Sequence, residues 1–238
     1  MIQASGRVDS TLPPRPAKSP MLASDLQALV KIIGPCGPEG AAIADLAIIA
    51  FWGMARLAEL TYHSPSGHIS PCSKPTTKDV THQPTITTLR LHGAKTSRPG
   101  EIQTLYLQPW RGALCPVKAI ARRISSTTSL LESLFGFTTP SGRVNLTKQR
   151  VNRVLRAAWQ AVGRPELSGH SFRVGGASLQ HALGIRIDVI KHLGRWKSKC
   201  DHRYLKTLSQ EEVAESLLPL GVRPHPTPLA PPGTTPPC

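Results

Sequence analysis

A mainly helical α+β domain with a small antiparallel β-hairpin is the fold class that the sequence predicts. Three observations carry it. Apolar residues recur at helical spacing through most of the chain, two short β-branched runs face each other across a glycine-bounded loop, and proline gathers at both ends.

Residues 1–20 hold Pro13, Pro14, Pro16 and Pro20 among Ser, Thr and Lys, a composition that buries too little apolar surface to order itself. A first helix is predicted over 24–33, with Ser24 as N-cap and Leu26, Leu29, Val30 and Ile33 on one stripe; residues 34–40 break it. Residues 41–60 read as one helix, apolar nearly all round and therefore buried mid-domain, with Arg56 as its anomaly. Residues 63–83, rich in Pro, Ser and Thr, read as an extended loop. The hairpin follows, with strands over 85–92 and 102–108 and a basic loop over 93–100.

Helices dominate the remainder: one after Cys115-Pro116, one over 147–162, one over 170–183, and short ones near 187–193, 200–206 and 210–218. In the 147–162 helix, Val151, Val154, Leu155, Ala158 and Trp159 form the inward stripe. Arg150, Arg153 and Arg156 share another flank, which reads either as a track for a phosphate backbone or as a solvated outer face. Gly175 and Gly176 weaken the helix that holds them and predict the close approach of another backbone. The tail carries Pro224, Pro226, Pro228, Pro231, Pro232, Pro236 and Pro237, so the expected organisation is one domain over 21–220 between disordered segments 1–20 and 221–238.

Lys and Arg number 29 against 14 Asp and Glu, a formal charge of +15, which points to a polyanionic partner and leaves DNA and RNA undivided. Cys36, Cys72, Cys115, Cys200 and Cys238 are odd in number and never spaced as C-x-x-C, so neither a zinc site nor a disulfide framework is expected. The apolar run 41–55 is too short to span a bilayer and contains Asp45; the expected setting is intracellular, nuclear in a eukaryote and cytoplasmic or nucleoid in a bacterium.

Arg56 and Glu59 stand one helical turn apart. They read as a structural ion pair or as a guanidinium pre-oriented by a carboxylate for a phosphate. In the run from Gly169 to Gly176, His170 and Arg173 lie three apart where a helix starts, an end that attracts anions. Further on, Leu193-Gly-Arg-Trp-Lys-Ser198 precedes Asp201-His-Arg-Tyr-Leu-Lys206, the one strongly basic setting of a tyrosine in the chain.

This last run resembles the C-terminal end of the tyrosine recombinase family, the integrases and Cre-like enzymes, and the order of the other motifs fits over about residues 41–218. The resemblance implies a helical catalytic domain that breaks and rejoins double-stranded DNA through a 3′-phosphotyrosyl intermediate, without metal or other cofactor. It implies Tyr204 as nucleophile, Arg56 and Arg173 as phosphate clamp, Glu59 as support for Arg56, His170 as base, Trp196 as the His-or-Trp hydrogen-bond donor and Lys95, in the hairpin loop, as proton donor to the leaving 5′-oxygen. Arg98, Arg150, Arg153, Arg156, Arg195, Lys197 and Arg203 are the expected DNA contacts. The family's N-terminal helical domain has no counterpart within these residues, and its tetramer on paired sites is the expected assembly, with residues 210–218 as a candidate docking helix.

The chemistry accounts for the grouping. A phosphodiester must have its charge offset before a nucleophile attacks, and a phenol of ordinary pKa is ionised in only about one molecule in a thousand at pH 7. Two rival readings remain at this point: a catalytically silent, sequence-nonspecific DNA-binding domain derived from a mobile element, and a metal-dependent phosphodiesterase built on the histidines. The second lacks a carboxylate cluster to hold Mg²⁺.

Overall fold

A computed structural model describes residues 19–70, 72–93, 98, 100–196 and 204–221. Most of both proline-rich ends, Lys95, Lys197 and Arg203 lie outside the described residues.

Helix α2 (Gly37–Trp52) is the centre of the molecule: every residue from Ala42 to Trp52 is buried. Helices α1 (Ala23–Ile33), α4 (Pro116–Ser125) and α6 (Ser171–Ala182) pack around it, which is why it carries no polar face. Its one buried carboxylate, Asp45, is met by both arginines that end α4, with Arg122 Nη2 at 2.5 Å and Arg123 Nε at 2.7 Å. An unpaired carboxylate there would cost several kcal/mol, on the order expected for a buried ion left alone.

The expected helix over 41–60 is two helices. α2 stops at Trp52; Gly53 caps it, Met54 takes a left-handed φ of 46°, and a single turn, α3 (Leu57–Leu60), follows. Arg56 is therefore the extended N-cap of α3 and not a mid-helix residue. Apolar periodicity runs straight through this break, because both sides of it are buried. Ser24 is not the cap of α1 either: Asp25 accepts the Leu22 N–H at 2.8 Å, while the Ser24 hydroxyl donates to Glu215 of helix α8 (Gln210–Leu217) at 2.6 Å. The Ala23 N–H donates to Ser216 Oγ at 3.3 Å, so α8 packs against α1 of its own chain.

The hairpin is present as β2 (Thr87–Leu91) and β3 (Gln103–Leu107), with Leu89 opposite Leu105 on the buried face. The expected loop over 63–83 contains a 3-10 turn, Thr77–Asp79, and an edge strand, β1 (Val80–His82), that pairs with β2. Asp79 fastens this segment, accepting from the Thr76 N–H at 2.9 Å and lying 2.9 Å from His92 Nε2 of the sheet end. A second hairpin, β4 (Gly136–Thr139) with β5 (Gly142–Asn145), was not expected, although Pro140-Ser-Gly142, with Gly142 at φ 114°, is a turn signal.

Helix α5 (Lys148–Ala161) starts at the Thr147 N-cap and buries Val151, Leu155, Ala158 and Trp159. Helix α7 (Ile187–Leu193) also forms as expected. The described part of the short helix expected over 200–206, residues 204–206, is not helical. Among the described residues no helix is long and apolar enough to cross a membrane.

The α6 glycines hold the layers together. A Cβ on Gly175 would lie 2.0 Å from the Met21 carbonyl oxygen, and one on Gly176 would lie 2.1 Å from that of Phe51. Both neighbours are backbone and cannot move aside. Gly176→Ala is therefore expected to lower stability by about 1–3 kcal/mol or more, the usual range for overpacking, as a leftward shift of the urea unfolding midpoint; an unchanged midpoint would refute this contact.

Candidate active site

The break between α2 and α3 leaves backbone carbonyls without helical partners, and arginines use them. Arg173, fully buried on α6, donates from Nη1 to the Met54 oxygen at 2.5 Å and from Nη2 to the Gly194 oxygen at 2.6 Å. Arg195 donates from Nη1 to the Gly53 oxygen at 3.1 Å and from Nη2 to Glu59 Oε2 at 3.0 Å. Arg56 meets the same carboxylate, with Nη1 2.7 Å from Oε1 and its own N–H 2.9 Å from Oε2.

Two guanidiniums thus share one carboxylate, and a third, that of Arg173, is held beside them by the Met54 and Gly194 carbonyls. Burial lowers the pKa of Arg173, and the like charges of Arg56 and Arg195 push in the same direction. For Glu59, burial acts to raise the pKa, but the charge of Arg195 and the hydrogen bonds from Arg56 outweigh it and hold the carboxyl below its ordinary value. Among the described residues, the Nε atoms of Arg173 and Arg195 and the indole nitrogen of Trp196 are buried without a hydrogen-bond partner. Unsatisfied donors of this kind collect at functional sites.

Tyr204 closes the cluster. Its ring stacks on Trp196 at 4.8 Å between centroids, lies 5.1 Å from the His170 ring and stands 5.0 Å from the guanidinium carbon of Arg173. Ser178 of α6 positions its backbone: the hydroxyl donates to the Tyr204 oxygen at 3.4 Å and accepts the Lys206 N–H at 2.9 Å. His170 is the N-cap of α6, so it and Arg173 project from the same turn.

Beside the cluster opens a cavity of about 850 Å³ whose lining includes Arg56, Glu59, His170 and Arg173. Lys74, Lys148 and Arg156 complete its cations, against the single carboxylate of Glu59 among the described lining residues. Such a space favours an anion.

The fold recurs in solved structures. XerA recombinase is 16% identical over 89% of this chain and 66% of its own, with a TM-score of 0.58. XerH site-specific recombinase bound to difH substrate, a pre-cleavage complex, is 14% identical over 87% of this chain and 55% of its own, at 0.54. A lambda integrase tetramer bound to a Holliday junction is 13% identical over 86% of this chain and 53% of its own, at 0.54. The chain has the fold of a tyrosine recombinase catalytic domain. It spans from about half to two thirds of the length of these recombinase structures. No protein-family model matches it, and no curated protein does.

Within this recombinase fold, His170, Arg173, Trp196 and Tyr204 come together, Arg56 shares one cavity with His170 and Arg173, and Lys95 lies outside the described residues. The expected DNA contacts divide. Arg156 lines the cavity, and Arg98 and Arg153 are exposed. Arg150 is held by Glu39 through Nε at 2.5 Å and Nη2 at 2.7 Å. Arg195, expected on the DNA-facing surface, is instead buried, with 6% of its side chain exposed, because Glu59 and the freed carbonyls draw it inward. Lys197 and Arg203 lie outside the described residues.

Lys74 and Lys148 escaped the sequence reading. Lys74 sits in the Pro-, Ser- and Thr-rich stretch and donates from Nζ to the Ala58 oxygen at 2.7 Å; no periodicity marks it. Lys148, first residue of α5, lies outside the arginine flank that drew attention. Of the other tyrosines, Tyr62 is buried, donates to the Pro75 oxygen and accepts the Phe135 N–H, and burial raises its pKa; Tyr106 stands on β3.

Because the Glu59 pKa is lower in the folded chain than in the unfolded one, its contribution to stability is complete above the unfolded value of about 4.3 and fades as pH falls through the folded value. Urea midpoints measured from pH 7 to pH 3 should therefore show wild type well above Glu59→Gln at neutral pH, with the gap narrowing on acidification. A gap independent of pH would contradict the pairing.

Proposed function

We propose that this chain breaks and rejoins DNA strands through a covalent phosphotyrosyl intermediate on Tyr204, with residues 21–220 as the catalytic unit. The observation that carries the reading is the phenol of Tyr204 lying against the guanidinium of Arg173 and the imidazole of His170, at the edge of a cavity rich in positive charge.

A backbone phosphate entering the cavity meets Arg56, whose fork is held by Glu59, and Arg173. Their charge offsets that of the non-bridging oxygens, and the Trp196 indole N–H, buried without a partner, supplies one more donor. His170 takes the phenolic proton as the Tyr204 oxygen bonds to phosphorus. The bond from phosphorus to the 5′-oxygen breaks, and that oxygen leaves with a proton from Lys95, the donor implied by the family resemblance. The phosphotyrosyl ester keeps the energy of the broken bond, so a 5′-hydroxyl can reverse the step and rejoin a strand.

Arg98, Arg153 and Arg156, with Lys74 and Lys148 of the lining, contact the flanking phosphates, and Lys197 and Arg203 extend this set. Duplex DNA is the partner, and assembly of several copies on paired sites belongs to the same proposal, by analogy with the lambda integrase tetramer on its junction.

The test is a nicked suicide duplex, from which the leaving strand diffuses away. The expected result is a denaturation-resistant protein–DNA adduct, insensitive to EDTA and absent in Tyr204→Phe. DNA binding with no adduct at any pH overturns the reading. Arg56→Ala should slow adduct formation by about 10²-fold, the usual effect of deleting one stabiliser of developing charge; single-turnover rates equal to wild type would remove Arg56 from the clamp.

A further inference from the structure

Arg195 holds an unusual backbone position. Helix α7 ends at Leu193, and the residue that turns left-handed beyond its cap is Arg195 with φ 57°, one place after Gly194, which stays right-handed. Glycine takes that left-handed position without cost, whereas a residue with a Cβ is strained there. Strain held at a functional site signals a side chain that must be aimed. The turn sends the Arg195 side chain inward, where only 6% of it is exposed, too little for a surface contact with DNA.

Its partners show what it is aimed at. Nη1 donates to the Gly53 oxygen at 3.1 Å and to the Leu193 oxygen at 3.2 Å, and Nη2 donates to Glu59 Oε2 at 3.0 Å. The first two tie the end of α7 to the break after α2. The third fixes the carboxylate that also holds Arg56 from two directions. We propose that Arg195 is a positioning residue, a buttress that locks Glu59 and, through it, sets the direction of the Arg56 guanidinium toward the scissile phosphate.

This assignment rests on the recombinase reading above and adds to it a residue that touches neither substrate nor nucleophile. The groups whose charge reaches Glu59 are Arg56, Arg195, Arg173 and Lys74. Of these, Arg195 and Arg56 alone bond to its carboxylate among the described residues, their guanidiniums taking different oxygens of it, Oε2 and Oε1, while the Arg56 N–H shares Oε2 with Arg195. Lysine in place of Arg195 keeps a charge but loses the planar fork that spans Gly53 and Glu59 together.

The experiment compares Arg195→Gly, Arg195→Lys, Glu59→Gln and the double variant Arg195→Gly with Glu59→Gln, each measured for adduct rate at saturating suicide DNA, for DNA affinity and for the pH dependence of the rate. Glycine suits the left-handed turn, so Arg195→Gly removes the side chain while easing the backbone. The expected result is a rate lower by about 10- to 100-fold, as for a misaimed catalytic group. DNA affinity stays near wild type and the acid limb of the profile moves to higher pH, since Glu59 has lost a cationic partner. The double variant should be no slower than the slower single one. Additive losses, or a loss of affinity that accounts for the whole rate change, overturn the buttress. Should the glycine variant not fold, Arg195→Lys decides: a full wild-type rate overturns the proposal and a reduced rate at unchanged affinity supports it. Wild-type protein that forms no adduct overturns the recombinase reading together with this one, whereas a normal wild-type rate beside additive losses overturns the role of Arg195 alone.

Discussion

Guanidinium groups brought together in a protein interior repel one another and lose their hydration, so a fold that gathers three must supply acceptors at fixed places. Here the acceptors are the carbonyls of Gly53, Met54 and Gly194 and the carboxylate of Glu59. Two of those carbonyls are available only because α2 ends at Trp52 instead of continuing into α3. The break in a buried apolar helix, costly in helical hydrogen bonds, is what lets Arg173 sit fully buried beneath Tyr204. Everything catalytic in the proposal is arranged around that discontinuity.

The balance of charge is left uneven. Among the described lining residues one carboxylate faces five cations, and a sixth cation outside the lining, Arg195, joins Arg56 in lowering the Glu59 pKa. A site that neutralised itself with further carboxylates would be more stable alone and less receptive to a polyanion. The surplus therefore lowers intrinsic stability and leaves the cavity favourable to an anion, in keeping with the excess of basic residues over the whole chain.

Much of this was legible in the residues. The Thr147 cap and the inward stripe of α5, the pairing of β2 with β3, and the close backbone approach at Gly175 and Gly176 each follow from local chemistry, and each is present. The spacing of His170 and Arg173 put both at one helix start. Other features left no such trace. The stop after Trp52 is hidden because periodicity cannot register a break between two buried segments. Lys74 reaches the cavity from a stretch with neither helical nor strand pattern, whose neighbouring Pro75 is held by the Tyr62 hydroxyl, a partner 13 residues away that no local pattern announces. Arg195 looked like one more basic residue beside Trp196, since a left-handed φ at a non-glycine position has no signature in composition.

The junction of α1 with α8 carries a consequence of its own. Ala23 and Ser24 touch Ser216 and Glu215, so the first and last helices of the described fold meet edge to edge. The described polypeptide there forms a nearly closed circuit, its two extremities brought together where α1 lies against α8. A rearranged gene that splices those extremities with a short connector and opens the circuit at the Pro140-Ser-Gly142 turn would leave the arginine cluster, on the interior side of α6, topologically undisturbed.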